Sequence, residues 1–139
     1  MDFYCENVDI PDIDKNKIIE WLDKLVYSYK KEFGDLAIIF CNDEYILSIN
    51  NQYLKHNYYT DIISFDYSFE DVLAGDLFIS LDTVYSNSIE LQVAYLNEEL
   101  LRVICHGVFH LLGFKDKTKI QKEKMRSLEN EALILYNNL

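Results

Sequence analysis

Cys105-His106-Gly107-Val108-Phe109-His110-Leu111-Leu112-Gly113-Phe114-Lys115-Asp116 places two histidines four residues apart inside an apolar run. Leu100, Leu101, Val103, Ile104 and Val108 recur at helical spacing upstream and through it, so the segment reads as a helix with one buried stripe. Residues one helical turn apart carry β-carbons ~5–6 Å from each other on one face, near enough for both imidazoles to reach a single ion at ~2.0–2.1 Å. That spacing supplies a pair, and a site needs a third ligand. Gly113 tolerates the left-handed conformation that stops a helix and reverses the chain, which allows Asp116 to return its carboxylate toward the histidines. Two histidines and one aspartate leave a position open for water, the arrangement of a hydrolytic metal centre. His106, His110 and Asp116 are therefore the candidate catalytic and metal-ligating residues. The metalloprotease pattern H-E-x-x-H needs a glutamate as general base where this chain has Gly107, which argues against a peptidase of that class.

Working outward from this helix, the chain alternates short strands and helices. Asp2 to Ile10 reads as a first strand. Pro11, Asp12 and Asp14 supply a turn and helix start, and Ile18, Ile19, Leu22, Leu25 and Val26 follow helical spacing, with Gly34 expected to close that helix. Leu36 to Phe40 is a short apolar run bounded by turn residues and fits a buried strand. Tyr45, Ile46, Ile49 and Tyr53 resume helical spacing behind Asn42 or Asp43 as cap. Two further strands are expected at Asp61–Phe65 and Asp76–Ser80, joined by a hairpin-type connection over Asp66–Gly75. From Asp82 the pattern is helical, with a break near Leu96 and a restart capped by Asn97, whose Glu98 and Glu99 form an acidic first turn. Met125, Leu128, Ala132, Leu133 and Leu135 mark a last helix packed on the core. The expected architecture is α+β: a mixed central sheet of about four strands against about five helices, in one domain over residues 1–139.

Composition narrows the class. Half of the 139 residues are apolar and 14% are aromatic, enough for one core. No apolar run approaches the ~18 residues of a membrane span and no leader pattern opens the chain, so the expected location is the cytoplasm, with no membrane partner. Cys5, Cys41 and Cys105 are an odd number without C-x-x-C spacing, which argues for reduced thiols. Cys105 points about 100° away from its neighbour His106 on a helix and reads as a small buried residue. The net charge of -11 opposes nucleic-acid binding in general. A local exception is the run Lys115, Lys117, Lys119, Lys122, Lys124 and Arg126, which follows the histidine pair directly.

The histidine segment resembles the signature of the YbeY endoribonucleases, His-Gly-x-x-His-Leu-x-Gly-Tyr-Asp-His, in which three histidines hold zinc. His106, Gly107, His110, Leu111 and Gly113 match, Phe114 replaces the tyrosine, and Asp116 stands in the third ligand position. Thr60-Asp61-Ile62-Ile63-Ser64-Phe65 and Gly75-Asp76-Leu77-Phe78-Ile79-Ser80 resemble the two strand motifs of the same family, in the same order and spacing. The resemblance implies one Zn²⁺ and a single-strand-specific endoribonuclease acting on RNA. It further implies maturation of the 3′ end of small-subunit (16S) rRNA and ribosome quality control, with ribosome or small-subunit proteins as partners. The ligand set also suits other divalent transition metals, so zinc rests on the resemblance. One departure stands out. The family's phosphate-contacting arginine follows an Asn-x-x-Tyr segment, whereas Asn50-Asn51-Gln52-Tyr53 is followed by Leu54; Lys55, His56 and Arg102 are the charges available to replace it. Two other readings follow: a ribosome-assembly binding factor with a structural metal and little catalysis, and a small metallohydrolase acting on an uncharged substrate. An aspartate ligand in place of an imidazole also lowers the net charge at the ion, which predicts a more alkaline rate profile than a three-histidine relative has.

Overall fold

A computed structural model of the chain describes residues 1–55 and 60–139. Four strands and five α-helices follow in the order β1 (Asp2–Glu6), α1 (Lys15–Tyr27), β2 (Glu32–Cys41), α2 (Asp43–Ile49), β3 (Ile62–Asp66), β4 (Val72–Ser80), α3 (Leu81–Leu91), α4 (Leu100–Leu111) and α5 (Lys119–Asn137). Single π-helical turns extend α2 over Asn50–Leu54 and precede α4 over Tyr95–Glu99. The sheet order is β1-β2-β4-β3, with β1, β2 and β4 parallel and β3 antiparallel to β4. The expected α+β class with a mixed four-stranded sheet is the observed one.

The parallel centre explains the apolar strand sequences. Leu36, Ile38, Phe40, Leu77 and Ile79 are all buried on the helix-covered face, and Trp21, Leu22, Ile104, Val108 and Phe109 fill the space above them. Trp21 also donates its Nε1–H to the carbonyl of Ala132 at 2.7 Å, so the largest core side chain fastens α1 to α5 without leaving a buried donor unpaired. α4 lies close on the sheet. A β-carbon built at Gly107 would stand 2.7 Å from the Ile62 side chain and 3.0 Å from that of Leu77, so glycine there leaves room for those two side chains against the helix.

Four local expectations differ from the structure. The first strand stops at Glu6, four residues before Ile10. α1 ends near Ser28, and the reversal is made by Lys30 in the left-handed region (φ 60°). Gly34 lies within β2, beside the irregularity between Phe33 and Leu36, where a β-carbon would meet Val72 at 2.7 Å. The glycine serves close strand approach, and an ordinary lysine supplies the turn. β4 begins at Val72, so the hairpin connection is shorter than Asp66–Gly75; Asp66 pairs with Gly75 across the ladder. Asn97 is no cap: Gln92 (φ 57°) ends α3, Ala94 is extended, and Asn97 sits inside the turn that runs into α4.

Candidate metal centre

Both ends of the loop that carries Asp116 are held by hydrogen bonds the sequence encodes locally. At the end of α4, Gly113 takes φ 99°; its N–H donates to the carbonyl of His110 and the N–H of Phe114 to that of Phe109, both at 3.0 Å. This is a Schellman closure, and its usual hydrophobic contact is present as an edge-to-face pair between Phe109 and Phe114, 5.9 Å between centroids. At the start of α5, Thr118 and Gln121 form a reciprocal capping box, and the Gln121 side chain also accepts from the N–H of Lys117 at 3.0 Å. Asp116 is thereby presented to the exposed side of α4.

His106, His110 and Asp116 converge. His106 Nε2 and His110 Nε2 are 2.9 Å apart, and Asp116 Oδ2 lies 3.1 Å from the first and 3.6 Å from the second. Among the described residues this is the one group of three histidine, cysteine or carboxylate side chains whose donor atoms lie within 4.8 Å of one another. A tetrahedral ion with bonds of ~2.0–2.1 Å holds its ligand atoms roughly 3.3 Å apart, which the observed triangle brackets.

The outer ring nitrogens decide the chemistry of the inner ones. His110 Nδ1 is 3.0 Å from the carbonyl oxygen of Phe114, which can only accept, so Nδ1 carries the proton and Nε2 of the neutral ring offers a lone pair. His106 Nδ1 donates in the same way to Glu129 Oε2 at 2.7 Å. With both Nδ1 protons directed outward, the two Nε2 atoms face each other 2.9 Å apart beside a carboxylate oxygen, a cluster that either one shared proton or a metal ion can hold together. Two imidazoles and a carboxylate are a donor set that fits a divalent ion. The carboxylate-histidine pairing is also the one that orients ligating histidines in metal sites.

Glu129 was not singled out in the sequence. It lies on α5, 5% exposed, and accepts from Arg102 Nη1 at 3.2 Å through its other oxygen. Its position between Met125, Leu128, Ala132 and Leu133 was the available signal, since it sits within the buried stripe of that helix. Burial opposes a charge on His106, but the hydrogen bond and charge of Glu129, with Asp116 and Asp61, outweigh it, and the net effect raises the His106 pKa.

A cavity of about 260 Å³ opens beside His106 and Asp116, and Glu99, Arg102, Lys122 and Arg126 also line it. Lys122 and Arg126 are thus the members of the basic run that reach the site, while Lys115, Lys117, Lys119 and Lys124 are exposed around it. Arg102 turns inward and is committed to Glu129, so its charge is already engaged. Leu54 and Lys55 are exposed at the end of the π-helical turn after α2, and His56 lies outside the described residues. Cys105 is fully buried, its Sγ donating to the carbonyl of Arg102 at 3.2 Å, and burial pushes its thiol pKa well up. It takes no part in the donor triangle. No helix among the described residues is long and apolar enough to cross a membrane.

The family model described as Endoribonuclease YbeY matches residues 3–137. A protein named Endoribonuclease YbeY from Bacteroides thetaiotaomicron is 50% identical over 133 residues, covering 96% of each chain. Relatives of the same name from Phocaeicola vulgatus and Porphyromonas gingivalis are 47% and 46% identical over 135 residues, covering 97% of this chain and 97% and 89% of theirs. A solution structure of a protein from Thermotoga maritima superposes with TM-score 0.60 over 99% of this chain and 93% of that one, at 23% identity, and so shares the fold.

Proposed function

Because this chain belongs to the YbeY family of endoribonucleases, we propose that it is a metal-dependent endoribonuclease that cleaves single-stranded RNA, with His106, His110 and Asp116 as ligands of one Zn²⁺. The observation that carries the proposal is the convergence of two lone-pair nitrogens and a carboxylate oxygen within 3.6 Å of one another. When bound, such an ion acidifies a water and withdraws charge from the attacked phosphate. The chain's own residues do the rest. The Phe114 carbonyl and Glu129 hold the two imidazoles in the tautomer that leaves Nε2 free, and Lys122 and Arg126 bring positive charge to the cavity where an anionic backbone would lie.

In this reading the substrate is rRNA, the work is maturation of the small-subunit rRNA 3′ end and ribosome quality control, and the partners are ribosomal or small-subunit proteins in the cytoplasm. Residues 1–139 act as one hydrolase domain. Leu54, where the family's phosphate-contacting arginine was expected, favours a second reading: a ribosome-assembly factor whose metal is structural. Purified protein should cleave a single-stranded RNA, and both His110→Ala and a chelator should abolish cleavage while circular dichroism shows the fold retained. Cleavage that persists in the variant would sink the nuclease reading, because it would come from a contaminant. Stoichiometric metal without any cleavage would favour the assembly factor.

A further inference from the structure

Glu99 is 4% exposed, and its Oε1 has no hydrogen-bond partner among the described residues. The nearest cation is Arg102, whose Nε stands 4.0 Å away, too far for a hydrogen bond, while its Nη1 is taken by Glu129 at 3.2 Å. A buried carboxylate without a donor is costly, and native folds seldom keep one without a use for it. Glu99 lines the cavity that also contains His106 and Asp116, so a ligand entering beside the proposed metal would supply the missing donor once the Glu99 side chain turns its buried Oε1 toward it.

The remaining walls describe that occupant. Val103 and Met125 are buried apolar surfaces suited to the faces of a flat ring, and Lys122 and Arg126 suit an attached phosphate. The volume, about 260 Å³, lies just below the ~300–1,000 Å³ typical of ligand pockets and is of the size of one base with its sugar. A second metal ion is the competing occupant, since Asp61, Glu99, Asp116 and Glu129 all line the space; against it, Glu99 joins no group of three convergent donor atoms among the described residues, and Arg102, Lys122 and Arg126 line the cavity too. We propose that this cavity is a base-recognition subsite for a guanine flanking the scissile phosphate, with Glu99 accepting hydrogen bonds from its Watson–Crick edge. An ionised carboxylate only accepts, and guanine is the base that presents two adjacent donors there, N1–H and the N2 amino group. Adenine and cytosine each offer one amino donor beside an acceptor, and uracil offers one N–H between two carbonyl oxygens that the carboxylate repels.

The inference rests on the ribonuclease reading for its ligand, but binding tests it separately. Calorimetry of the zinc-loaded full chain with guanosine, inosine and uridine 5′-monophosphates should give guanosine roughly 10-fold tighter than uridine, the scale of a charge-assisted hydrogen bond, with inosine, which lacks the N2 amine, between them. Glu99→Gln should bring the guanosine and uridine affinities to within about 2-fold with zinc stoichiometry unchanged. Should that variant fail to fold, Glu99→Asp, which withdraws the carboxylate by one methylene, should narrow the same gap. Equal affinities in the parent protein, or a gap that survives both substitutions, overturns the proposal. So does a second equivalent of zinc that is lost with Glu99→Gln, because the cavity would then hold a cation. RNA cleavage without base preference would remove this inference and leave the nuclease reading standing. Guanosine selectivity without cleavage would do the reverse.

Discussion

Glu129 and Glu99 flank the same arginine, line the same cavity and are equally buried, at 5% and 4% exposure, yet they are opposites in how they are paired. Glu129 has a donor on each oxygen, His106 Nδ1 at 2.7 Å and Arg102 Nη1 at 3.2 Å. Glu99 has an oxygen with none. Burial raises the Glu99 carboxyl pKa, Arg102 lowers it in part, and Asp61 and Glu129 add to the rise. The difference separates a carboxylate that the fold itself satisfies, in order to aim a histidine, from one left for a ligand to satisfy.

The comparison breaks most visibly at Glu129. Glu129→Ala strands the Arg102 guanidinium and the His106 N–H in a buried setting, and chemical denaturation should show a loss on the order of 3–5 kcal/mol. Zinc affinity, followed by competition with a chromogenic chelator, should fall ~10–100-fold. Normal affinity in this variant would mean that Glu129 does not orient His106. A smaller effect is expected at Glu99. Glu99→Gln removes a buried charge that lacks a hydrogen bond, so thermal unfolding should show stability unchanged or raised by about 1 kcal/mol. A large destabilisation would place Glu99 among the satisfied groups and erase the contrast.

The pH response sharpens the same point. The His106 pKa is raised above 6.5 in the folded state, so in metal-free protein the His106–Glu129 interaction stabilises fully below that value and is lost as pH rises through the folded pKa. Zinc requires the neutral ring, so its affinity should rise across the same window. Glu129→Gln should flatten both trends, and urea midpoints with zinc titrations at stepped pH would measure them. Asp116→His should move the pH–rate profile of cleavage toward acid, since a neutral ligand leaves more charge on the ion; an unmoved profile would refute that account. The smallest effect belongs to the rim. Neutralising Lys122 should reduce the slope of log affinity for single-stranded RNA against log salt by about 0.7, the contribution of one phosphate contact.

Much of this site was legible in the sequence, for physical reasons that can be named. Histidines one turn apart, a glycine at the helix end and an aspartate three residues beyond it each act through local geometry, so His106, His110 and Asp116 could be brought together on paper. Glu129 could not. Its partner lies twenty-three residues away on another helix, and an acidic residue in an amphipathic stretch reads as solvated unless the surrounding stripe is traced. Glu99 was read as part of an acidic first turn capped by Asn97, because asparagine followed by two glutamates has that chemistry. The π-helical turn from Tyr95 instead carries Glu99 onto the face shared by Val103, His106 and His110. Gly34 was misplaced for a related reason, since the need for glycine came from Val72 on a neighbouring strand and nothing near it in sequence reveals that.

The contact of Gly107 with Ile62 and Leu77 also bears on how this site can change by descent. The position after the first histidine is where zinc peptidases carry their glutamate, and two nucleotide changes or fewer separate a glycine codon from a glutamate codon. In this chain the first added carbon meets the ends of the Ile62 and Leu77 side chains, which would have to swing aside or shorten. The route from this scaffold to peptidase chemistry therefore passes through a repacking of those two side chains before a glutamate at this position could act.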